Sequence, residues 1–226
     1  TWSTQHNIGI QGSSERARWS ASLGYADDRS VIIATDDGIK KYNARMNADY
    51  DITKWLVFNM NISYSNRYKD SPLDGLDGNN SGMYDAPAAP AYTPSGNYYD
   101  FYVCGRSPLS AMQAGGRAKQ EFETFRYSNT LTAQLTKDLK ATGSMSFIKN
   151  NNVQTEYKTT YYVGAPYAVN IEKNGNGEVI GYDVNEQLNV VNAGTKSYAQ
   201  ERSQRTFYEN YSLQLDYNHT FGNVHN

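Results

Sequence analysis

The side chains that could do chemistry are few and scattered. Of the 3 histidines, His6 lies far from His219 and His225 in the sequence. No His-x-x-x-His, Gly-x-Ser-x-Gly or phosphate-cradling loop accompanies them. Two carboxylate pairs stand at alternate positions, Glu121 with Glu123 and Asp49 with Asp51. On an extended chain each pair shares a face about 7 Å apart. Hydrolysis can use such a pair, and a solvated strand wall produces the same pattern. The run "DSPLDGLDGNNSG" offers Asp70, Asp74, Asp77 and Asn79 as oxygen ligands of the kind calcium takes. The EF-hand spacing is missing, and turn formation accounts for the same residues. The single cysteine, Cys104, excludes an internal disulfide and a Cys-based zinc site. These patterns lead us to expect no catalytic residue, no metal and no cofactor.

The denser signal is aromatic. Tyr84, Tyr92, Tyr98, Tyr99, Phe101 and Tyr102 cluster in one irregular stretch. Aromatic faces with polar tips suit sugar rings, peptides and protein partners. Three readings stay open for them: substrate contact, contact with a partner protein, and packing of the loop on itself.

The elements that carry these residues follow from composition and period. The 226-residue chain has a net charge of -2, which argues against a nucleic-acid partner, since that needs a clustered basic surface. Only 38% of residues are hydrophobic and mean hydropathy is -0.74, yet there are 20 Tyr beside 7 Phe and 3 Trp. Tyrosine suits strands and boundaries where one end of the ring is wet. No run of apolar residues is long enough for a transmembrane helix. The chain opens at "TWSTQHNIGIQG" without Met or a signal-peptide pattern, so we expect an internal piece of a longer protein.

Period two dominates. From Tyr42, the residues Ala44, Met46, Ala48, Tyr50 and Ile52 alternate with Asn43, Arg45, Asn47, Asp49 and Asp51. Phe58, Met60, Ile62 and Tyr64 alternate with Asn59, Asn61, Ser63 and Ser65. The same holds for Ala17–Tyr25, Phe125–Leu135, Leu139–Phe147 and Tyr211–Tyr217. Successive side chains of a strand point to opposite faces, so these are strands with one greasy face and one wet face. Several exceed ten residues, about what a tilted strand needs to cross a bilayer.

The connections fall in two classes. Gly12–Glu15, Asp51–Lys54 and Thr136–Leu139 are tiny. Tyr68–Lys119, with five of the 6 prolines, and about 150–205 are long; Asp27–Gly38 is intermediate. Within the second long stretch, Asn174-Gly175-Asn176-Gly177 predicts a hairpin turn between short strands. Fifty-residue excursions are foreign to compact domains. Short turns at one end, long loops at the other and alternating faces match a bacterial outer-membrane barrel. Every backbone group in hydrocarbon must be bonded internally, so a sheet crosses only as a closed barrel. Tyr50, Trp55 and Tyr64 fit its interfacial girdles. A soluble β-sandwich with one solvated face predicts the same alternation.

The segments "QHNIGIQGSSERARWSASLGYADDRSVI" and "KKYNARMNADYDITKWLVFNMNISYS" resemble the mid-barrel part of SusC/RagA-type TonB-dependent transporters of Bacteroidetes. "APAAPAYTPSGNYY" is similar to the proline-rich outer loop that follows in that family, and "LQLDYNHTFGNVHN" to a later strand and periplasmic turn. The resemblance implies an all-β, antiparallel segment of a large barrel in the bacterial outer membrane. It implies extracellular loops at about 69–118 and 150–205, and about seven strands of the barrel within residues 1–226, with the plug, the TonB box and the closing strand outside this stretch. It implies import of oligosaccharide, peptide or other bulky nutrients, a capping SusD-like surface lipoprotein, contact with outer-membrane lipid, and TonB engaged through the N-terminal region of the parent chain. The competing reading is a secreted or surface-exposed β-sandwich module that binds carbohydrate or protein without transport.

Overall fold

The structure, a computed structural model, describes residues 2–31, 34–73, 90–93, 95–99, 108–191 and 197–220. Seven strands form one antiparallel sheet in the order β1-β2-β3-β4-β5-β6-β9, and β7 and β8 form a separate two-stranded sheet. The strands are β1 (Ser3–Ser13), β2 (Ala17–Arg29), β3 (Gly38–Thr53), β4 (Leu56–Pro72), β5 (Gly116–Gln134), β6 (Leu139–Lys158), β7 (Tyr161–Lys173), β8 (Val179–Val191) and β9 (Tyr198–Tyr217). One short helix, α1 (Pro108–Ala114), precedes β5.

The register confirms the faces read from period two. Ile8, Leu23, Ala44, Tyr64 and Phe125 stand in one cross-strand row. Ile10, Ala21, Met46, Ile62, Tyr127 and Phe147 form the next row down. The belt continues to β9 through Leu213 and Leu215. It is bare: Leu213 is 78% and Ile8 66% exposed. From Tyr42 to Ile52 the belt spans ten residue steps on β3. That is about 33 Å along the strand, or about 25 Å along the normal at a tilt of roughly 40°.

Aromatic rings mark the upper edge of the belt. Tyr25 meets Tyr42 at 5.2 Å and His6 at 6.4 Å between ring centroids. Lower in the belt, in the row of Met46, Phe147 lies between Phe125 at 6.5 Å and Phe207 at 6.2 Å. Trp55, in the β3–β4 turn, and Tyr50, near the end of β3, lie at the opposite end of the belt. Tyr64 was expected near a strand end but stands mid-strand, because β4 continues to Pro72.

Strand pairing also runs past the belt into stretches read as loop. β4 extends to Pro72, β5 begins at Gly116, β6 extends to Lys158 and β9 begins at Tyr198. Beyond the belt both faces carry polar residues, as in Asn150, Asn151 and Asn152 on β6. Alternation then vanishes while the backbone ladder persists, so period two cannot mark these ends. The turn at Asn174–Gly177 is present, with Asn174 N donating to Glu178 O at 2.9 Å and Gly177 N to Asn174 O at 2.9 Å. Gly177 takes φ 81, which a residue with a Cβ adopts only under strain. The strands it joins are longer than the short ones expected, 13 residues each.

Three short connections, after β1, β3 and β5, lie at one end of the main sheet. Three longer ones, after β2, β4 and β6, lie at the other. Among the described residues the buried hydrophobic ones sit at the long-connection end: Ala111, Met112, Tyr161 and Val163.

Candidate functional site

The polar face of the sheet is a wall of short side chains and bonded amides. Asn47 Nδ2 donates to Ser20 Oγ at 3.2 Å, and Asn61 Nδ2 donates in turn to Asn47 Oδ1. Asn59 Nδ2 donates to Asp49 Oδ1 at 2.7 Å, and Arg18 Nε lies 3.8 Å from Asp49 Oδ2. Higher up, Thr124 Oγ1 donates to Asn150 Oδ1 at 3.0 Å. Such cross-strand bonds fix side chains without an apolar layer over them. At mid-height one row reads Ser22, Arg45, Ser63, Arg126 across β2 to β5. A hollow of ≈ 310 Å³ and another of ≈ 370 Å³ flank this row, each lined by Arg45, Ser63 and Arg126.

The long-connection end is tied together by charge. Arg117, at the start of β5, contacts Asp70 of β4 through Nε at 2.9 Å and Nη2 at 2.8 Å. It also donates from Nη2 to the Asp36 carbonyl at 3.1 Å and has Nη1 3.7 Å from Asp37 Oδ1. Arg29 reaches Asp36 at 2.8 Å and Asp27 at 3.3 Å. Two guanidiniums thus bind the β2–β3 connection to the ends of β2, β4 and β5. A larger hollow of ≈ 630 Å³ opens beside this network, bounded by Asp28, Lys69, Met112, Gln154 and Glu156 among others.

The aromatic candidates divide. Tyr84, Phe101 and Tyr102 lie outside the described residues. Tyr92 and Tyr98 are joined by an antiparallel bridge, with ring centroids 5.6 Å apart and planes inclined by 30°. Thr93 N donates to Asn97 O at 2.8 Å and Gly96 N to Thr93 O at 2.9 Å. Tyr98 packs on the small core of Tyr161 and Val163, together with Ala114. Its hydroxyl donates to Gln113 Oε1 at 3.2 Å, and Gln113 Nε2 donates to Ala34 O at 2.7 Å. Burial, and secondarily the Tyr92 phenol, raise the pKa of Tyr98 above the ordinary tyrosine value. Tyr99 bridges Gly164 of β7 in parallel, and Gly164 N donates to Tyr98 O at 2.7 Å. Tyr98 thus packs within this region, whereas Tyr92 is 47% exposed.

The remaining candidates have local partners. Glu123 accepts from Tyr64 at 2.9 Å and Asn151 at 3.0 Å, and Glu121 accepts from Asn66 at 2.7 Å. Asp70 is held by Arg117, and Asp74, Asp77 and Asn79 lie outside the described residues. His219 Nδ1 lies 2.8 Å from Asp138 Oδ2 at the short-turn end, with its ring stacked on Tyr217. Among the described residues no group of three or more His, Cys, Asp and Glu could hold a metal. Arg126 is the site residue that the period alone did not single out. Its position between Phe125 and Tyr127 puts it on the polar face. Its row with Arg45 appears only through the register.

No protein-family model matches the chain, and no curated protein matches it. Its fold matches a solved structure of the RagAB peptide importer in the 'closed-closed' state, at a TM-score of 0.55 and 13% identity, over 96% of this chain. A second structure of the RagAB peptide transporter matches at 0.55 and 14% identity, over 95% of this chain. The fold is an antiparallel sheet like a segment of the outer-membrane β-barrel in those structures. The chain spans about 30% of the length of those barrel chains. In the main sheet the short turns and the long connections lie at opposite ends, and Arg45 and Arg126 stand on its polar face.

Proposed function

We propose that residues 1–226 form part of the wall of a TonB-dependent outer-membrane transporter in a bacterial outer membrane. The observation that carries this reading is the pairing of two asymmetries in one sheet. One face bears a belt about 25 Å tall and the other a bonded polar wall. Short turns gather at one end and long connections at the other. Among the described residues no second sheet makes extended contact with the apolar face, which a sandwich requires. The cargo is a bulky nutrient, an oligosaccharide or a peptide, that passes along the polar face. A capping SusD-like lipoprotein docks on the long-connection end, and Tyr84, Tyr92, Tyr98, Tyr99, Phe101 and Tyr102 are the candidate substrate contacts there. Energy arrives through TonB at a part of the parent chain outside this stretch. The SusC/RagA resemblance of the sequence supports these finer assignments.

Cysteine labelling on intact cells tests the topology. In a Cys104→Ser background, Asn176→Cys at the β7–β8 turn should react with a membrane-impermeant maleimide. Thr53→Cys, beside the β3–β4 turn, should react only after the outer membrane is opened. Equal reaction of both sites on intact cells would sink the barrel reading in favour of a surface sandwich.

A further inference from the structure

Arg45 and Arg126 stand in one row of the polar face with Ser63 between them. Strand spacing puts their stems about 10 Å apart, within the combined reach of two arginine side chains. Neither has an ion-pair or hydrogen-bond partner among the described residues. The carboxylates nearest along this face are already engaged, Asp49 by Asn59 and Arg18, and Asp28 by Lys41 at 3.0 Å. Farther up the same face of β4, Arg67 and Lys69 are likewise without a partner. An unpaired surface arginine is ordinary, because water solvates it. This row differs in its level: the residues behind it on the sheet, Ala44, Tyr64 and Phe125, belong to the apolar belt. Its charges therefore face the interior of a barrel, where like charges repel more strongly than in open water.

We propose that Arg45, Ser63 and Arg126 form a carboxylate-binding subsite on the inner wall, with Arg67 and Lys69 as a cationic approach from the long-connection end. The planar fork of each arginine matches a carboxylate, and the Ser63 hydroxyl adds a third donor between them. A bound carboxylate removes the repulsion between the two guanidiniums. The flanking hollows of ≈ 310 Å³ and ≈ 370 Å³ leave room for the body of the cargo. The carboxylate belongs to a peptide or to an acidic sugar; both present the same group. This site deepens the transporter reading and rests on it for its place in import.

The test is calorimetric binding to the purified, intact transporter that carries this segment. Two matched ligand pairs separate the sources of the carboxylate. One is an acidic tetrapeptide against its amide counterpart with a blocked C-terminus; the other is a galacturonate oligomer against a galactose oligomer. The charged member of one pair should bind at least about tenfold more tightly than its neutral partner, and Arg45→Gln or Arg126→Gln should each remove most of that preference. Arg45→Lys should retain part of it. Ser63→Asp, which places a tethered carboxylate between the guanidiniums, should abolish it. Arg18→Gln, at a paired arginine, should leave it unchanged. Equal binding within both pairs, or a charge preference that survives the Arg45→Gln/Arg126→Gln double variant, would overturn the subsite. Maleimide labelling of the same preparation in cells reports on topology separately, so loss of the subsite and loss of the transporter reading give different results.

Discussion

Arg117 grips Asp70 with two guanidinium nitrogens, Nε at 2.9 Å and Nη2 at 2.8 Å, and so joins the first residues of β5 to the last of β4. The same side chain holds the β2–β3 connection through the Asp36 carbonyl and Asp37. Its side chain is 19% exposed, so solvent weakens the contacts only in part. Arg117→Ala should destabilise the long-connection end by about 1–2 kcal/mol. Arg117→Lys should lose most of that too, because an ammonium cannot bridge two partners in one plane. Faster amide exchange at residues 34–37, with the β3–β4 turn unchanged, is the expected result. Uniform exchange across the sheet would contradict it.

The two faces of β3 should tolerate charge very differently. Met46→Arg places a cation in the apolar belt, whereas Asn47→Arg places it on the polar wall. The first should cost about 2–4 kcal/mol near the midplane and lower the amount of folded barrel in outer membranes. The second should be close to neutral. Heat-modifiable gel mobility of the two variants gives the comparison, and equal yields would contradict a lipid-facing belt.

Gly116 opens β5 with φ 121, and a Cβ there would overlap the Tyr157 carbonyl oxygen of β6. Backbone cannot yield as a flexible side chain can. Gly116→Ala should therefore cost about 1–3 kcal/mol and loosen the pairing of β5 with β6 at that end. Thermal unfolding in detergent reads the cost, and an unchanged midpoint would refute it.

Tyr98 gives a pH dependence with a definite sign. Burial raises its phenol above the ordinary tyrosine value, so the folded state favours the neutral form. Its stabilising contribution is fully present below the unfolded tyrosine pKa near 10. It fades as pH rises through the higher folded value. Alkaline titration should show a late-ionising phenol that disappears in Tyr98→Phe, with protease sensitivity of α1 rising over the same window. A phenol that titrates with the exposed tyrosines would count against this packing.

The sequence by itself determined the strands of the belt, their faces and the division of turns from long connections. Those features are local: alternation is written in neighbouring residues, and the Asn-Gly turn in four. It could not mark where β4, β6 and β9 reach beyond the belt, because Asn150, Asn151 and Asn152 are polar on both faces and carry no period. Nor did it reveal α1, a seven-residue helix whose Met112 and Ala111 are buried by residues distant in the chain. It gathered the tyrosines but could not separate Tyr98, packed on Val163, from the exposed Tyr92. The row that joins Arg45 to Arg126 was likewise invisible, since 81 positions separate them and only the register of β3, β4 and β5 sets them side by side. Period two states which face a side chain takes; strand pairing alone states which neighbours it meets there.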